Sequence, residues 1–164
     1  MTSLAEKATW KPVWKIERFE NEEAFQANKP YDISVFEGNL LLNEGIDIIW
    51  TLVAGGTATA FDNTNAYIGV GDSTTAADAT QTGLQATTNK VYLPMETGYP
   101  TYGSSQQIVF KSVADGTTAN FSWQEFTVAN GSDDTATNLN RKVSDQGTKA
   151  SGQIWTVTLT ISLS

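Results

Sequence analysis

The sequence predicts a mainly β protein: an antiparallel β-sandwich or jelly-roll-like barrel with one α-helix and an N-terminal arm. Three observations carry this. In the last ten residues Trp155, Val157, Leu159, Ile161 and Leu163 alternate with Thr156, Thr158, Thr160 and Ser162, the period-two pattern of a half-buried strand. Several more short strand-like runs precede it, separated by turn residues. A single segment, 39–54, has helical periodicity instead.

The strand runs follow in order. Ala66 to Val70 ends at Gly71-Asp72, and Lys90 to Met95 makes a second. Gln107 to Val113 is a third, closed by the tight-turn pair Asp115-Gly116. Thr118 to Ala129 is a fourth. Phe121 and Trp123 share one of its faces and Phe126 and Val128 the other, so a bulge is expected near Gln124-Glu125. Asn130-Gly131 ends it, and Leu139 to Val143 is a fifth. The Thr- and Ala-rich stretches 74–88 and 132–138 hold few large apolar groups and read as exposed loops. No fixed-period repeat points to a solenoid.

The helix rests on Leu42, Ile46, Ile49 and Val53, broadened by Leu41, Ile48 and Leu52, opposite a polar stripe of Asn43, Asp47 and Thr51. Asn39 is the expected N-cap and Gly55-Gly56 the stop. Gly45 weakens such a helix by up to about 1 kcal/mol unless close packing requires it. An apolar stripe this wide is expected to cover a sheet or seal a barrel end.

Residues 1–36 differ in composition. Lys7, Lys11, Lys15 and Arg18 precede Glu20, Glu22 and Glu23, with Trp10, Trp14, Phe19, Phe25, Tyr31 and Phe36 threaded among them. Val13, Lys15, Glu17 and Phe19 share one side of an extended chain and Trp14, Ile16 and Arg18 the other, so neither side is cleanly apolar. Large aromatics on a charged leader bury against something. Either the segment folds back on its own core, or it is an arm that clasps a neighbouring subunit. The domain division is drawn on the second reading: an arm over 1–36 and one β-rich domain over 37–164. Trp10, Trp14, Phe19 and Phe25 are the expected interface anchors, with Lys11, Lys15 and Arg18 at the rim.

Composition narrows the chemistry. Cysteine and histidine are both missing from the 164 residues, which removes Ser-His-Asp and Cys-His nucleophile systems and thiolate or imidazole zinc sites. Eighteen acids against ten bases give a net charge of −8, the wrong sign for a general nucleic-acid binder or for an anionic membrane. The longest apolar segment, Leu40 to Ala54, is too short and too polar to span a bilayer. The first residues lack the apolar stretch of a secretory signal.

Four local clusters carry polar side chains that bear on chemistry. Glu96 and Glu125 are the candidate carboxylate pair for glycoside hydrolysis, which needs about 5 to 9.5 Å between them; the plainer role for Glu125 is an ion pair with Arg141 or Lys142. Ser73, after Gly71-Asp72, resembles a phosphate loop only superficially, and an Asx-type turn from Asp72 is the expectation. Asp133-Asp134 with Asn130 and Ser132 is oxygen-rich but lacks calcium-loop spacing. Asn120-Phe121-Ser122 fits a glycosylation pattern but falls within an expected strand. No cofactor is called for, and no catalytic or metal-binding residue is assigned.

Four segments in order carry a resemblance: "NAYIGVGDSTTAADATQTGLQA" (65–86), "ANFSWQEFTVANG" (119–131), "LNRKV" (139–143) and "GTKASGQIWTVTLTISLS" (147–164). This order resembles small structural proteins of tailed bacteriophages, over about residues 65–164. The resemblance implies a virion component, assembled in the host cytoplasm, without catalysis. It implies a capsid decoration (cement) protein first and a tail or fibre component second, since both use β-sandwich modules. The expected partners are the major capsid protein or other virion proteins and further copies of the chain, a trimer being favoured. For the tail reading, Tyr99 and Tyr102 are candidate contacts to the host surface.

Overall fold

The computed structural model describes residues 7–164. Two five-stranded antiparallel sheets face each other, and with only two helices beside them the protein is a mainly β sandwich. The first sheet has the order β2-β1-β10-β7-β6 and the second β3-β9-β8-β4-β5.

In chain order the elements are β1 (Trp10–Phe19), α1 (Glu22–Gln26), β2 (Asp32–Glu37), β3 (Leu40–Leu41), α2 (Asn43–Val53), β4 (Tyr67–Gly71), β5 (Lys90–Pro94), β6 (Thr101–Ser104), β7 (Gln107–Ala114), β8 (Glu125–Ala129), β9 (Asn140–Val143) and β10 (Ile154–Leu163). The alternation in β10 sets the middle of the first sheet. Trp155, Val157, Leu159 and Ile161 are buried against the opposite sheet, while Thr158 and Thr160 lie half-covered on the outer face. An aromatic cluster links the layers: Trp123 meets Trp155 edge-on at 5.0 Å, and Phe126 packs on both Trp14 and Phe36 at about 5.5 Å.

The first correction concerns residues 1–36. The segment 10–19 is β1, paired along its whole length with β10 from Trp10↔Leu163 to Phe19↔Ile154, and 32–37 is β2 on its other side. The described part of the expected arm therefore belongs to the sandwich of its own chain. The boundary at residue 36 falls in β2, one residue before its end. Trp14 and Ile16 are fully buried and line up with Leu159 and Val157. Arg18, which spoiled the apolar side of the pattern, turns inward as well. Its guanidinium lies 4.6 Å from the Trp155 ring and donates to Asp32 (2.9 Å), Ser34 (2.9 Å) and the Gln146 carbonyl (2.8 Å). A cation with acceptors on both terminal nitrogens and an aromatic ring beneath it can occupy a core position.

The helix starts later than its periodicity suggests. Leu40–Leu41 pair with β9 as β3, Leu42 occupies the N-cap without a side-chain bond, and Asn39 accepts from the Trp10 indole instead. Gly45 is buried because a Cβ there would strike the Leu139 backbone carbonyl, so close packing is what requires it. The fourth expected strand is also shorter. Only Glu125–Ala129 is regular, and 118–124 is an irregular segment in which Ala119 has φ +57° and its carbonyl accepts from the Trp123 indole. The face change noted in the sequence marks this entry into β8. Asn120 consequently lies exposed outside any strand, its side chain donating to the Gly116 carbonyl.

Candidate functional site

The densest polar cluster in the protein sits on the outer face of the second sheet, under the loop 72–89. β8 has core residues Phe126 and Val128 on one face and Glu125 and Thr127 on the other, yet all of these are buried. The loop is what covers the second face. Most of 74–88 is exposed, as its composition suggested, but Gly83, Leu84 and Ala86 on its underside are buried against the sheet. Gly69 and Gly71 of β4 leave room for the cover: a Cβ on Gly69 would meet Leu84, and one on Gly71 would stand 2.5 Å from Glu125 Oε1.

Glu125 and Arg141 hold the cover down. Glu125 accepts from the Gln85 amide (2.9 Å) and the Ala86 amide (2.8 Å). Arg141 Nε donates to Glu125 Oε2 at 2.9 Å, and its Nη2 lies 2.7 Å from the same oxygen, a charge contact off the hydrogen-bond axis. Arg141 Nη1 donates to the Thr75 carbonyl (2.8 Å) and to Gln81 Oε1 (3.1 Å). Both side chains are fully buried. The loop is thus gripped at 75, 81 and 85–86 by one ion pair that adjoining strands β8 and β9 supply. Beside it, Thr127 donates to the Asn138 side chain and the Asn140 carbonyl, and Asn140 Oδ1 accepts from the Val128 amide.

Chemically this arrangement is closed. The carboxylate receives two amides and a guanidinium, the plainer of the roles expected for Glu125. The proposed partner carboxylate is elsewhere. Glu125 registers with Gly71, which pairs with Lys90 at the start of β5. Glu96 lies beyond the other end of that strand, about 20 Å away along the chain at the usual strand rise. The two do not form the facing pair that glycoside hydrolysis requires.

The remaining polar candidates are tied into turns. Asp72 accepts from the Asn89 side chain, and the turn bond belongs to Ser73, whose hydroxyl accepts from the Thr75 amide at 3.2 Å. Asp133 accepts from the amide and hydroxyl of Thr135, which lowers its pKa. Asp134 pairs with Lys90 at 2.5 Å, which holds its carboxyl below the usual range, and accepts from the Tyr92 hydroxyl at 3.0 Å. Burial, then Asp134 and Glu125, push the Tyr92 phenol well above its ordinary pKa. Lys149 is buried, donating to the Asp115 carbonyl and Asn120 Oδ1, and burial lowers its pKa. Among the described residues no group of three or more acidic side chains is placed to hold a metal ion.

The expected interface anchors are distributed unevenly. Trp14 and Phe19 are core residues, and Phe25 of α1 stacks edge-on against Phe19 at 5.2 Å. Trp10 is half-buried beside an open groove of about 490 Å³ at one end of the sandwich, with Ile108, Ile161 and Leu163. Of the rim residues, Lys11 is exposed, Lys15 pairs with Glu17 at 2.9 Å on the outer face, and Arg18 is internal. Apart from Leu163 in that groove, the most exposed large apolar side chains lie elsewhere, among them Ile33 and Val35 on β2, Trp50 and Val53 on α2, and Tyr102 on β6. Tyr99 is half-buried against the core. Val53 was part of the helical pattern and Trp50 was not, and the docking of Gly45 on Leu139 decides which side of that broad stripe stays outside.

No known protein family, curated protein or solved structure matches the chain. No helix among the described residues is long and apolar enough to cross a membrane.

Proposed function

We propose that this chain is a structural protein of a tailed-bacteriophage virion, a capsid decoration protein that binds the assembled shell and reinforces it. The observation that carries the reading is where chemistry and stickiness fall. The fully buried charged pair, Glu125–Arg141, is sealed and consumed in holding a loop, while Trp50 (65% exposed) and Val53 (72%) stand outward on a regular, well-anchored helix. Exposed aromatic and aliphatic groups on a rigid element are the usual anchors of a protein contact. The order of the four motifs supplies the viral context. The shell-facing surface is assigned to α2 in place of the N-terminal segment, because Trp14 and Phe19 are already used within the fold. Many copies on a lattice turn individually weak contacts into firm attachment through effective concentration.

The test is co-sedimentation of the purified protein with phage heads that lack decoration, in parallel with isolated tails. Saturable binding to heads is expected. Trp50→Ser with Val53→Ser should weaken it by about tenfold or more while stability changes by less than about 1 kcal/mol, as for exposed positions. Failure to bind heads overturns the reading. Binding to tails alone selects the second reading, a tail or fibre component, which the 75% exposure of Tyr102 next to the terminal groove favours.

A further inference from the structure

The outer edge of β2 is a self-complementary docking strand, and we infer that two copies of this chain pair through it, β2 against β2, into one continuous ten-stranded sheet. The hydrogen-bond phase of the edge follows from its neighbours. Thr9 and Ser164 exchange both of their backbone bonds, so the odd-numbered residues of β1 bond to β10 and the even-numbered ones face β2. Residues 14, 16 and 18 pair with 36, 34 and 32. The amides and carbonyls of Ile33, Val35 and Glu37 therefore point away from the sheet. At the two ends these groups are accounted for: the Tyr31 amide donates to the Arg18 carbonyl, and the Glu37 carbonyl accepts from Lys142 Nζ at 2.7 Å. Among the described residues, what is left open is the backbone of Ile33 and Val35.

One two-fold register uses these groups fully. If Ser34 lies on the axis, Ile33 of one copy stands opposite Val35 of the other, and both pairs exchange N–H···O bonds, four in all. Centring on Ile33 or Val35 instead calls on the Tyr31 amide or the Glu37 carbonyl, which are already bonded. The favoured register also sets apolar side chains opposite each other. Ile33 is 49% and Val35 62% exposed, and both lie on the outer face of the sheet. Asp32, held by Arg18, falls opposite Phe36, and Glu37 falls opposite Tyr31, so no like charges meet. An edge strand with free backbone groups is a template for strand addition; β2 carries neither proline nor lysine to block it, and its two acids, Asp32 and Glu37, lie at its ends.

The contact is small and belongs to the weak, concentration-dependent class. Each copy carries a net charge of −8, so added salt should strengthen the pairing by screening repulsion. The unit is a two-fold dimer, where the sequence reading favoured a trimer. The inference stands on the strand edge alone and does not rest on the virion reading: head binding and self-pairing are read in separate experiments, and either can fail without the other.

Sedimentation equilibrium over a range of concentration and salt tests it, together with hydrogen exchange. A monomer–dimer equilibrium is expected, with the amides of Ile33 and Val35 becoming slower to exchange as the dimer fills. Val35→Pro removes an edge-facing amide without touching the β1 ladder and should weaken association at least about tenfold, the equivalent of roughly 1.4 kcal/mol. Val35→Glu keeps the amide and should do the same by replacing an apolar contact with a charge of the sign both copies already carry. Thermal unfolding of both variants near the parent value shows that the fold is intact. A protein that stays monomeric throughout, or a dimer that both folded variants leave unchanged, overturns the inference.

Discussion

The Glu125–Arg141 pair makes the sharpest prediction about how this sandwich is held together. Glu125→Gln leaves the geometry nearly unchanged but removes the charge that balances a fully buried guanidinium. Arg141→Met does the reverse, and it also frees the Thr75 carbonyl and Gln81 side chain. Breaking a buried ion pair from one side costs about 3–5 kcal/mol, because the surviving charge stays uncompensated. For a chain of this size each kcal/mol moves the melting temperature by about 2–4 °C, so either variant should melt roughly 6–20 °C lower. The double variant Glu125→Gln/Arg141→Met should lose clearly less than the sum of the two, since no lone charge remains.

Where the loss appears is as telling as its size. The pair grips the loop at 75, 81 and 85–86, so local opening should precede global unfolding. Native-state hydrogen exchange should show the Gln85 and Ala86 amides losing most of their protection, while amides in β1 and β10 follow the global stability. Calorimetry with exchange read by NMR measures both. A single variant that shifts stability by less than about 1 kcal/mol, or additive effects in the double variant, would refute the claim that this ion pair is the pin of the loop.

Two further outcomes follow from the packing and the titrating groups. Gly45→Ala drives a methyl group into the Leu139 backbone and should destabilise by about 1–3 kcal/mol, against the gain that alanine brings to an exposed helix site; chemical denaturation reads it. The pH dependence should fall off at both ends. Bonds from Thr117 hold the Asp115 carboxyl at about 2, below its unfolded value, so its contribution is present above about pH 4 and is lost as pH falls through that window. Tyr92 is raised, so the unfolded chain loses its proton first and stability declines as pH rises above about 10. Lys149, lowered by burial, works the other way there and partly offsets the decline. Tyr92→Phe should flatten the alkaline limb, as melting temperatures across pH would show.

How much of this was legible in the sequence depends on what each residue had to reveal. β10, β7, β5 and β4 could be read because one face of each is apolar in strict alternation or the run ends in a turn pair. β1 left two readings open, a segment folded on its own core or an arm, because its buried row contains Arg18, and a period-two pattern cannot show that Trp155, 137 residues later, supplies the ring over which the guanidinium lies. The loop 74–88 looked exposed because threonine and alanine dominate it, and most of it is. What composition could not show is the docking of Leu84 and Ala86, decided by Gly69 and Gly71, which clear a surface for them, and by a carboxylate 40 residues away that takes up the Gln85 amide. Glu125 was expected to pair with Arg141 or Lys142, but nothing local to these residues could say which, or that both partners would be dry. The features missed are those in which a polar group is buried by a distant partner. Alternation and turn chemistry report local exposure, whereas here the tertiary contact reverses it. The same reasoning explains why Ile33 and Val35 escaped notice: two β-branched residues in a strand look like core, and only the sheet order makes β2 an edge. An apolar row in a strand with no neighbour on one side is unfinished structure, and a second copy is the one partner certain to carry the matching register.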